Sequence, residues 1–219
     1  MKKYFAILLG CPLFAGISPE ELDALLTCLG ARSLPVTKGQ VILAEGEPAR
    51  FVGIVLAGCV QIEKVDYYGN RSILTQAMPG QLFAESFACA GVGAMPVSVV
   101  ANTDSRYMLI RCQRITTGCS NACCFHSRLI YNLLGIVARR NLEFHRKQEL
   151  TARRTTREKL MAYLLAQAKG AGSKDFAIPF DRQGLADYLG VERSAMSTEL
   201  GKLKKDGIID FRRSHFTIL

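Results

Sequence analysis

Residues 178–219 read IPFDRQGLADYLGVERSAMSTELGKLKKDGIIDFRRSHFTIL, and this stretch predicts two short helices joined by a tight turn. Asp181 is suited to cap the first helix, and Gly190 supplies the turn residue at its end. The second helix is predicted over residues 194–205. Such a pair has the spacing of a helix-turn-helix, whose second helix offers its first turn to base edges in the major groove.

The apolar residues of the two helices predict how they pack against each other. The expected inward positions are Leu185, Ala186, Leu189, Ala195, Met196, Leu200 and Leu203. After the second helix, Asp206 and Gly207 make a turn into IIDFRR and HFTIL, which fit a two-stranded wing. The C-terminal segment therefore predicts a winged helix-turn-helix.

Polar and basic side chains at exposed positions of this segment are the candidate DNA contacts. Arg193 is the predicted base reader, because a guanidinium can donate two hydrogen bonds to guanine O6 and N7. The remaining candidates are Arg182, Gln183, Ser194, Ser197, Thr198, Lys202, Arg212 and Arg213. The alternative is a small helical cap whose charges are merely solvated.

The distribution of charge supports an anionic partner near the C-terminus. The chain carries a formal net charge of +9, and residues 151–219 hold thirteen Lys and Arg against eight Asp and Glu. Clustered cations raise the local potential that attracts phosphate. Double-stranded DNA is the expected partner.

Residues 36–110 have a different texture, with short β-branched runs separated by glycine. This rhythm predicts an antiparallel β-roll of the jelly-roll kind, so that the whole chain belongs to the α+β class. We expect an effector domain over residues 1–126, a dimerisation helix over 127–150 and the winged helix-turn-helix over 151–219.

The long helix carries more apolar residues than a solvated helix would need. They are Leu129, Ile130, Leu133, Leu134, Val137, Ala138 and Leu142. Basic residues crowd its later turns, which favours a seam between two copies of the chain over a buried central helix. We expect a homodimer, with packing inside one chain as the alternative.

The N-terminal segment MKKYFAILLGCPLFAGISPEEL, residues 1–22, has two interpretations. It imitates a secretory signal peptide, but its apolar residues can also form a short helix on a core. Ser18, Pro19, Glu20 and Glu21 then form a helix start. No apolar run approaches the roughly 20 residues that span a bilayer, so we expect a cytoplasmic protein with no membrane partner.

Four stretches together resemble the Crp/Fnr family of bacterial transcription regulators, which is named for the cyclic-AMP receptor protein and the fumarate-nitrate reduction regulator. The likeness covers nearly the whole chain. It rests on KGQVILAEGE at 38–47, VLAGCVQI at 55–62, PGQLFAES at 79–86 and DRQGLADYLGVERSAMSTEL at 181–200. The first three look like the glycine-marked strands of a cyclic-nucleotide-binding roll.

The resemblance implies a dimeric regulator in which an effector shifts the long helices and reorients the DNA-binding domains. It places Arg193 on the family's base-reading arginine, and Arg182 and Gln183 near the DNA backbone. Ser194 stands where an acidic reader is common, and Thr198 where a second arginine is common, so the resemblance does not fix the operator preference. We expect a near-palindromic operator, and RNA polymerase as a further partner.

The effector pocket is expected around side chains of the roll and the long helix: Phe83, Ala84, Glu85, Met95, Val97 and Phe144. Glu85 matches the family's ribose-binding acid. The phosphate-binding arginine has no counterpart in Gly93–Val97, and a buried phosphate without a cation is costly. The resemblance therefore disfavours cyclic AMP, and the small-molecule or redox signal is left unassigned, as is any cofactor.

The segment CSNACCFH, residues 119–126, gathers Cys119, Cys123, Cys124 and His126. Thiolates and imidazole at such spacing can bind zinc or iron, or form a redox pair. Ordinary packing of reduced thiols is the favoured interpretation, because Cys119, Cys123 and His126 share one helical face and a tetrahedral site would still need a fourth ligand, for which Cys112 is the candidate. An enzyme is not expected, because no acid is placed to orient a Cys–His pair.

The remaining alternative for the whole chain is a ligand-sensing module that binds a protein partner without DNA.

Overall fold

The computed structural model describes residues 2–117 and 125–219 of the chain. They form two compact units. The first comprises Met1–Asn70 and Leu74–Leu142, and the second comprises Arg71–Ile73 and Glu143–Leu219.

The first unit is an antiparallel roll with helices before and after it. Its helices are α1 (Phe5–Leu9), α2 (Pro19–Cys28), α3 (Glu85–Cys89), α4 (Cys112–Thr116) and the first part of α5 (Phe125–Thr151). Its strands are β1 (Arg32–Val36), β2 (Val41–Leu43), β3 (Phe51–Ala57), β4 (Val60–Val65), β5 (Arg71–Ala77), β6 (Leu82–Phe83), β7 (Ser98–Ala101) and β8 (Ser105–Arg111). The first three residues of β5 belong to the second unit.

The strands form two four-stranded sheets, in the orders β1-β8-β3-β6 and β2-β7-β4-β5. Alternation along β3 gives the first sheet two apolar faces. Val52, Ile54 and Leu56 pack in a core with α1, α2 and α5. Val55, between them, lies in a second core inside the roll.

The second unit is a helix-turn-helix with a small sheet. After the end of α5 come α6 (Thr156–Ala171), β9 (Asp175–Ala177), α7 (Arg182–Leu189), α8 (Arg193–Lys205), β10 (Ile209–Arg212) and β11 (His215–Ile218). The three strands are ordered β10-β11-β9. The predicted fold class, an α+β chain with a roll, a long helix and a winged helix-turn-helix, is confirmed.

Local sequence explains where several helices begin. Ser18 caps α2 by accepting from the Glu21 amide, and Glu21 accepts from the Ser18 amide at 2.8 Å. Pro19 occupies the first helical position, where its missing N–H costs nothing. The apolar segment 5–9 forms α1 on the core, with Leu8 fully buried. Within the described residues, no helix is both long and apolar enough to span a membrane.

Candidate DNA-binding surface and effector pocket

The turn between α7 and α8 is built as the sequence predicts. The Asp181 carboxylate accepts from the Gly184 amide at 2.7 Å, which caps α7. Gly190 ends this helix at φ +62°, a left-handed conformation that suits glycine. Buried side chains fix the crossing of the two helices: Leu185, Ala186, Leu189, Met196, Leu200 and Leu203.

One inward assignment on α8 is wrong, because Ala195 is exposed. Met196, Leu200 and Leu203 follow the spacing of one helical face. Ala195 precedes Met196 by one residue, which is a rotation of about 100° around the axis. The side chain therefore lies outside the face that packs on α7.

Exposed side chains on α8 include every candidate that the sequence placed there. They are Arg193, Ser194, Ser197, Thr198 and Lys202. Within the described part of the chain, the Arg193 side chain makes no ion pair or hydrogen bond. Lys202 is bound to Glu199 on the same helix, with Nζ 2.7 Å from Oε1. All donors of the Arg193 guanidinium are thus available to a ligand.

The hydroxyls of Ser197 and Thr198 are already donating. Ser197 Oγ donates to the Arg193 carbonyl at 2.9 Å, and Thr198 Oγ1 donates to the Ser194 carbonyl at 3.1 Å. A hydroxyl that donates its proton keeps lone pairs that can accept. In these rotamers the two side chains can accept from an amino group of adenine or cytosine, but they cannot donate to a phosphate.

Arg182 and Gln183 open α7, and both are held by neighbours. The Arg182 guanidinium lies over the rings of Phe211 and Phe216, 4.6 and 5.1 Å from their centroids. Burial lowers the pKa of Arg182, although the group stays charged at neutral pH. Gln183 Nε2 donates to Asp187 at 2.8 Å. The aromatic rings of the wing therefore fix the direction of the Arg182 side chain.

The wing presents two further cations. Arg212 ends β10, and Arg213 occupies the turn to β11 with φ +54°. Both side chains are exposed. The turn is anchored by Ser214, whose hydroxyl donates to the Phe180 carbonyl at 2.9 Å. The second unit therefore exposes cations at the start of α8 and on the wing.

The candidate effector residues of the roll are buried. Phe83, Ala84, Met95 and Val97 belong to the core inside the roll. Phe144, the sixth candidate, lies in the second unit and is 41% exposed. The first unit thus brings together five of the six residues, including Glu85.

Glu85 is buried and ion-paired. Its Oε1 accepts from Arg140 Nε at 3.0 Å, and Arg140 Nη2 donates to the Leu82 carbonyl at 2.9 Å. The sequence pattern shows Arg140 only as one of the basic residues in the later turns of the long helix and does not reveal this pair. A carboxylate at Glu85 directly after the apolar run Leu82–Ala84 was the available signal, because a buried charge requires a partner. The pair connects the roll directly to α5.

The cysteine cluster falls mostly outside the described residues. Cys119, Cys123 and Cys124 lie there, so their arrangement stays a prediction. His126 is described and buried, with Nε2 3.1 Å from the Arg114 carbonyl oxygen. Among described residues no group of three or more Cys, His, Asp or Glu is placed to hold a metal ion.

Comparisons with known proteins agree with this architecture. Residues 34–120 match the cyclic nucleotide-binding domain family, and residues 158–219 match the Crp-like helix-turn-helix domain family. The cyclic AMP receptor protein of Thermus thermophilus is 25% identical, over 91% of this chain and 88% of its own length. An anaerobic regulatory protein of Pasteurella multocida is 22% identical, over 92% of this chain and 73% of its own length.

Solved structures show the same fold. FixK2 from Bradyrhizobium japonicum superposes with a TM-score of 0.68 at 23% identity, covering 86% of this chain and 92% of its own. The regulator CLP from Xanthomonas campestris gives a TM-score of 0.72 at 18% identity, covering 90% and 98%. Both domain matches and the relatives give one assignment: this chain belongs to the Crp/Fnr family, whose members are transcription regulators with a DNA-binding helix-turn-helix and not enzymes.

Proposed function

We propose that this chain is an effector-responsive regulator that binds a near-palindromic DNA operator as a homodimer. The observation that carries the proposal is the exposed first turn of α8, where Arg193 has its guanidinium donors available. A helix-turn-helix inserts this turn into the major groove. In a two-fold dimer, the two α8 helices enter successive grooves about one DNA turn apart, on the order of 34 Å.

Each candidate side chain has a role that follows from its chemistry. Arg193 reads a guanine, and Ser197 and Thr198 accept from neighbouring base amino groups. Contacts to the DNA backbone come from residues around this centre, because phosphate contacts position the protein without reading sequence. They are Arg182, Gln183, Ser194, Lys202, Arg212 and Arg213.

The dimer is proposed to form along α5. Leu129, Leu133 and Ile136 are buried in the core of the first unit. Apolar residues at four-residue spacing stay exposed on another side of the helix: Ile130, Leu134, Ala138 and Leu142. Leu134 and Leu142 are 67% and 58% exposed. Such a continuous apolar stripe on a long helix favours pairing with a second copy.

The signal is proposed to reach α5 through the pair of Glu85 and Arg140. The residues around Glu85 form the proposed effector region, and the Arg140 guanidinium is committed to Glu85 and the Leu82 carbonyl. A phosphate entering this region would meet the Glu85 carboxylate and no cation in Gly93–Val97. Cyclic AMP is therefore disfavoured as the effector.

The proposed site of action follows from the DNA partner. A regulator bound to chromosomal DNA works in the bacterial cytoplasm and meets RNA polymerase at promoters. Both the location and the polymerase contact depend on the proposed DNA binding.

Selection from a random-duplex pool, followed by sequencing, tests the proposal. We expect the wild-type protein to enrich an inverted repeat with half-sites one DNA turn apart. Arg193→Ala should weaken operator binding by the dimer at least about 30-fold, because one bidentate contact of about 1–3 kcal/mol is lost in each of the two half-sites.

The matched control is Lys169→Ala, which removes one exposed cation at the end of α6 with no proposed DNA contact. This variant should bind the selected operator with the affinity of the wild type. If reduced and oxidised wild-type protein both enrich no sequence, the proposal fails. The non-DNA alternative, a partner-binding signalling module, would then regain support.

A further inference from the structure

A cavity of about 590 Å³ opens in the first unit, and its wall includes residues from both of that unit's cores. Its wall includes Arg50 and Arg111 together with Val92, Gly93, Cys89 and Cys112. This volume falls within the range typical of small-molecule sites, roughly 300–1,000 Å³. The cavity is large enough for a ligand with an apolar body and a charged head.

Both arginines line the cavity, and their strands place the two backbone segments side by side. Phe51 of β3 pairs with Arg111 of β8 in the antiparallel register, and Arg50 directly precedes Phe51. The Arg50 carbonyl also accepts from the Cys112 amide at 3.0 Å, which fixes the two chain segments side by side. Arg111 has its guanidinium 5.9 Å from the centroid of the Phe51 ring.

No acid balances these cations at the cavity. Within the described residues, neither Arg50 nor Arg111 has an ion-pair partner, and no Asp or Glu lines the wall. Glu85 acts electrostatically on Cys89 but is itself paired with Arg140. Two unpaired guanidinium groups beside one cavity attract an anion, since arginine binds carboxylate and phosphate through paired donors.

The Cys89 thiol leaves this positive potential intact. Cys89 Sγ and Cys112 Sγ lie 3.8 Å apart. Burial and the neighbouring Cys112 raise the pKa of Cys89 to about 12, so this thiol is neutral at physiological pH. The apolar part of the wall, which includes Pro48, Ala49 and Val92, suits the body of a ligand and not an inorganic ion.

We propose that this cavity binds a small organic anion, with its phosphate or carboxylate on Arg50 and Arg111 and its apolar body against Val92 and Ala49. The inference rests on the proposed function for its biological role: it gives the unidentified effector a chemical class and a binding place beside the region around Glu85, not inside it. α3 runs from Glu85 to Cys89, so one short helix joins this cavity to the Glu85–Arg140 pair. Ligand binding at Cys89 can therefore act on α5.

Calorimetric titration with 1-naphthyl phosphate tests the site without DNA. We expect saturable binding to the full-length protein, and clearly weaker binding of inorganic phosphate. The variant Arg50→Gln/Arg111→Gln should bind at least tenfold more weakly, because both charge-assisted interactions are removed. Lys64→Gln removes an exposed cation of β4 that does not line the cavity and should bind as the wild type does.

A second pair of variants guards against misfolding of the arginine variant. A Cβ added at Gly93 meets no atom within 4 Å. Gly93→Glu adds a carboxylate to the cavity wall, whereas Gly93→Gln adds a neutral group of the same shape. The proposal predicts weaker binding to the Glu variant than to the Gln variant. Absence of saturable binding to the wild type, or equal binding by the Glu and Gln variants, would overturn it, while operator selection would remain a separate result.

Discussion

Gly53 and Phe83 face each other across two neighbouring strands, and the ring occupies the space that a side chain would need. They are register partners in β3 and β6, and a Cβ on Gly53 would lie 2.1 Å from two atoms of the Phe83 ring. Phe83 is only 1% exposed, so the ring has little room to move. The Phe83 ring thus leaves room only for glycine at position 53.

Gly53→Ala should therefore lower the free energy of unfolding by about 1–3 kcal/mol, the usual cost of overpacking a core. Urea unfolding followed by circular dichroism measures this change. Gly93→Ala is the control, since its added Cβ meets no atom. Gly53→Ala/Phe83→Leu should recover part of the stability. Equal stability of Gly53→Ala and the wild type would contradict this account of the packing.

Lys147 is a partly buried cation in the second unit. Its Nζ lies 4.2 Å from the centroid of the Tyr188 ring and donates to the Ile73 carbonyl. Burial lowers the pKa of Lys147 to about 8 from its ordinary value of 10.5. The folded state therefore disfavours the charged form relative to the unfolded state.

The sign of the resulting pH dependence follows from linkage. Below pH 8 both states are protonated and the full cost applies. As pH rises from 8 towards 10.5, the folded state releases its proton first, so stability increases by up to about 3 kcal/mol from this group. Urea midpoints at about pH 7.5 and about pH 9.5 should show a smaller rise for Lys147→Met than for the wild type. Lys169→Met, at an exposed position, should keep the wild-type rise, and an identical rise in all three proteins would contradict this assignment.

At the scale of elements, helix starts and turns could be predicted because their causes are local. Ser18, Asp181 and Gly190 each act within a few residues of their own position. The pairing of Glu85 with Arg140 could not be predicted, because the two residues are 55 positions apart. The sequence around either residue does not indicate the other as its partner. Periodicity found the apolar residues of α5 but not their division into a buried side and an exposed stripe.

That division makes α5 testable as a dimer helix. Leu134→Glu places a carboxylate in the exposed stripe, where two copies would bring like charges into an apolar interface. We expect dimer affinity to fall at least 30-fold, the equivalent of about 2 kcal/mol for a central interface residue. Sedimentation velocity over a range of concentrations measures this affinity.

Arg139→Glu is the control for this variant, because it adds a carboxylate to α5 outside the stripe. It should sediment as the wild type does. If Leu134→Glu remains dimeric to the same dilution as Arg139→Glu, the two copies do not meet along this stripe.

At the scale of the whole molecule, the excess of cations makes DNA binding sensitive to salt. Phosphate contacts release counterions, so the logarithm of the affinity falls linearly with the logarithm of the salt concentration. Base contacts contribute little to that slope. Substitution of Arg193 on α8 should therefore change the salt slope less than substitution of Arg212 and Arg213 on the wing.

Arg212→Ala/Arg213→Ala should bind all duplexes more weakly and reduce the salt slope by about 1 for each phosphate that the wing no longer neutralises. Arg193→Ala should leave most of the slope in place and bind with less discrimination at one position of each half-site. Fluorescence anisotropy at several salt concentrations, with operator and scrambled duplexes, separates the two effects. A reversed pattern, with a shallower slope in Arg193→Ala and weaker discrimination in the wing variant, would mean that the wing reads the bases and α8 holds the backbone.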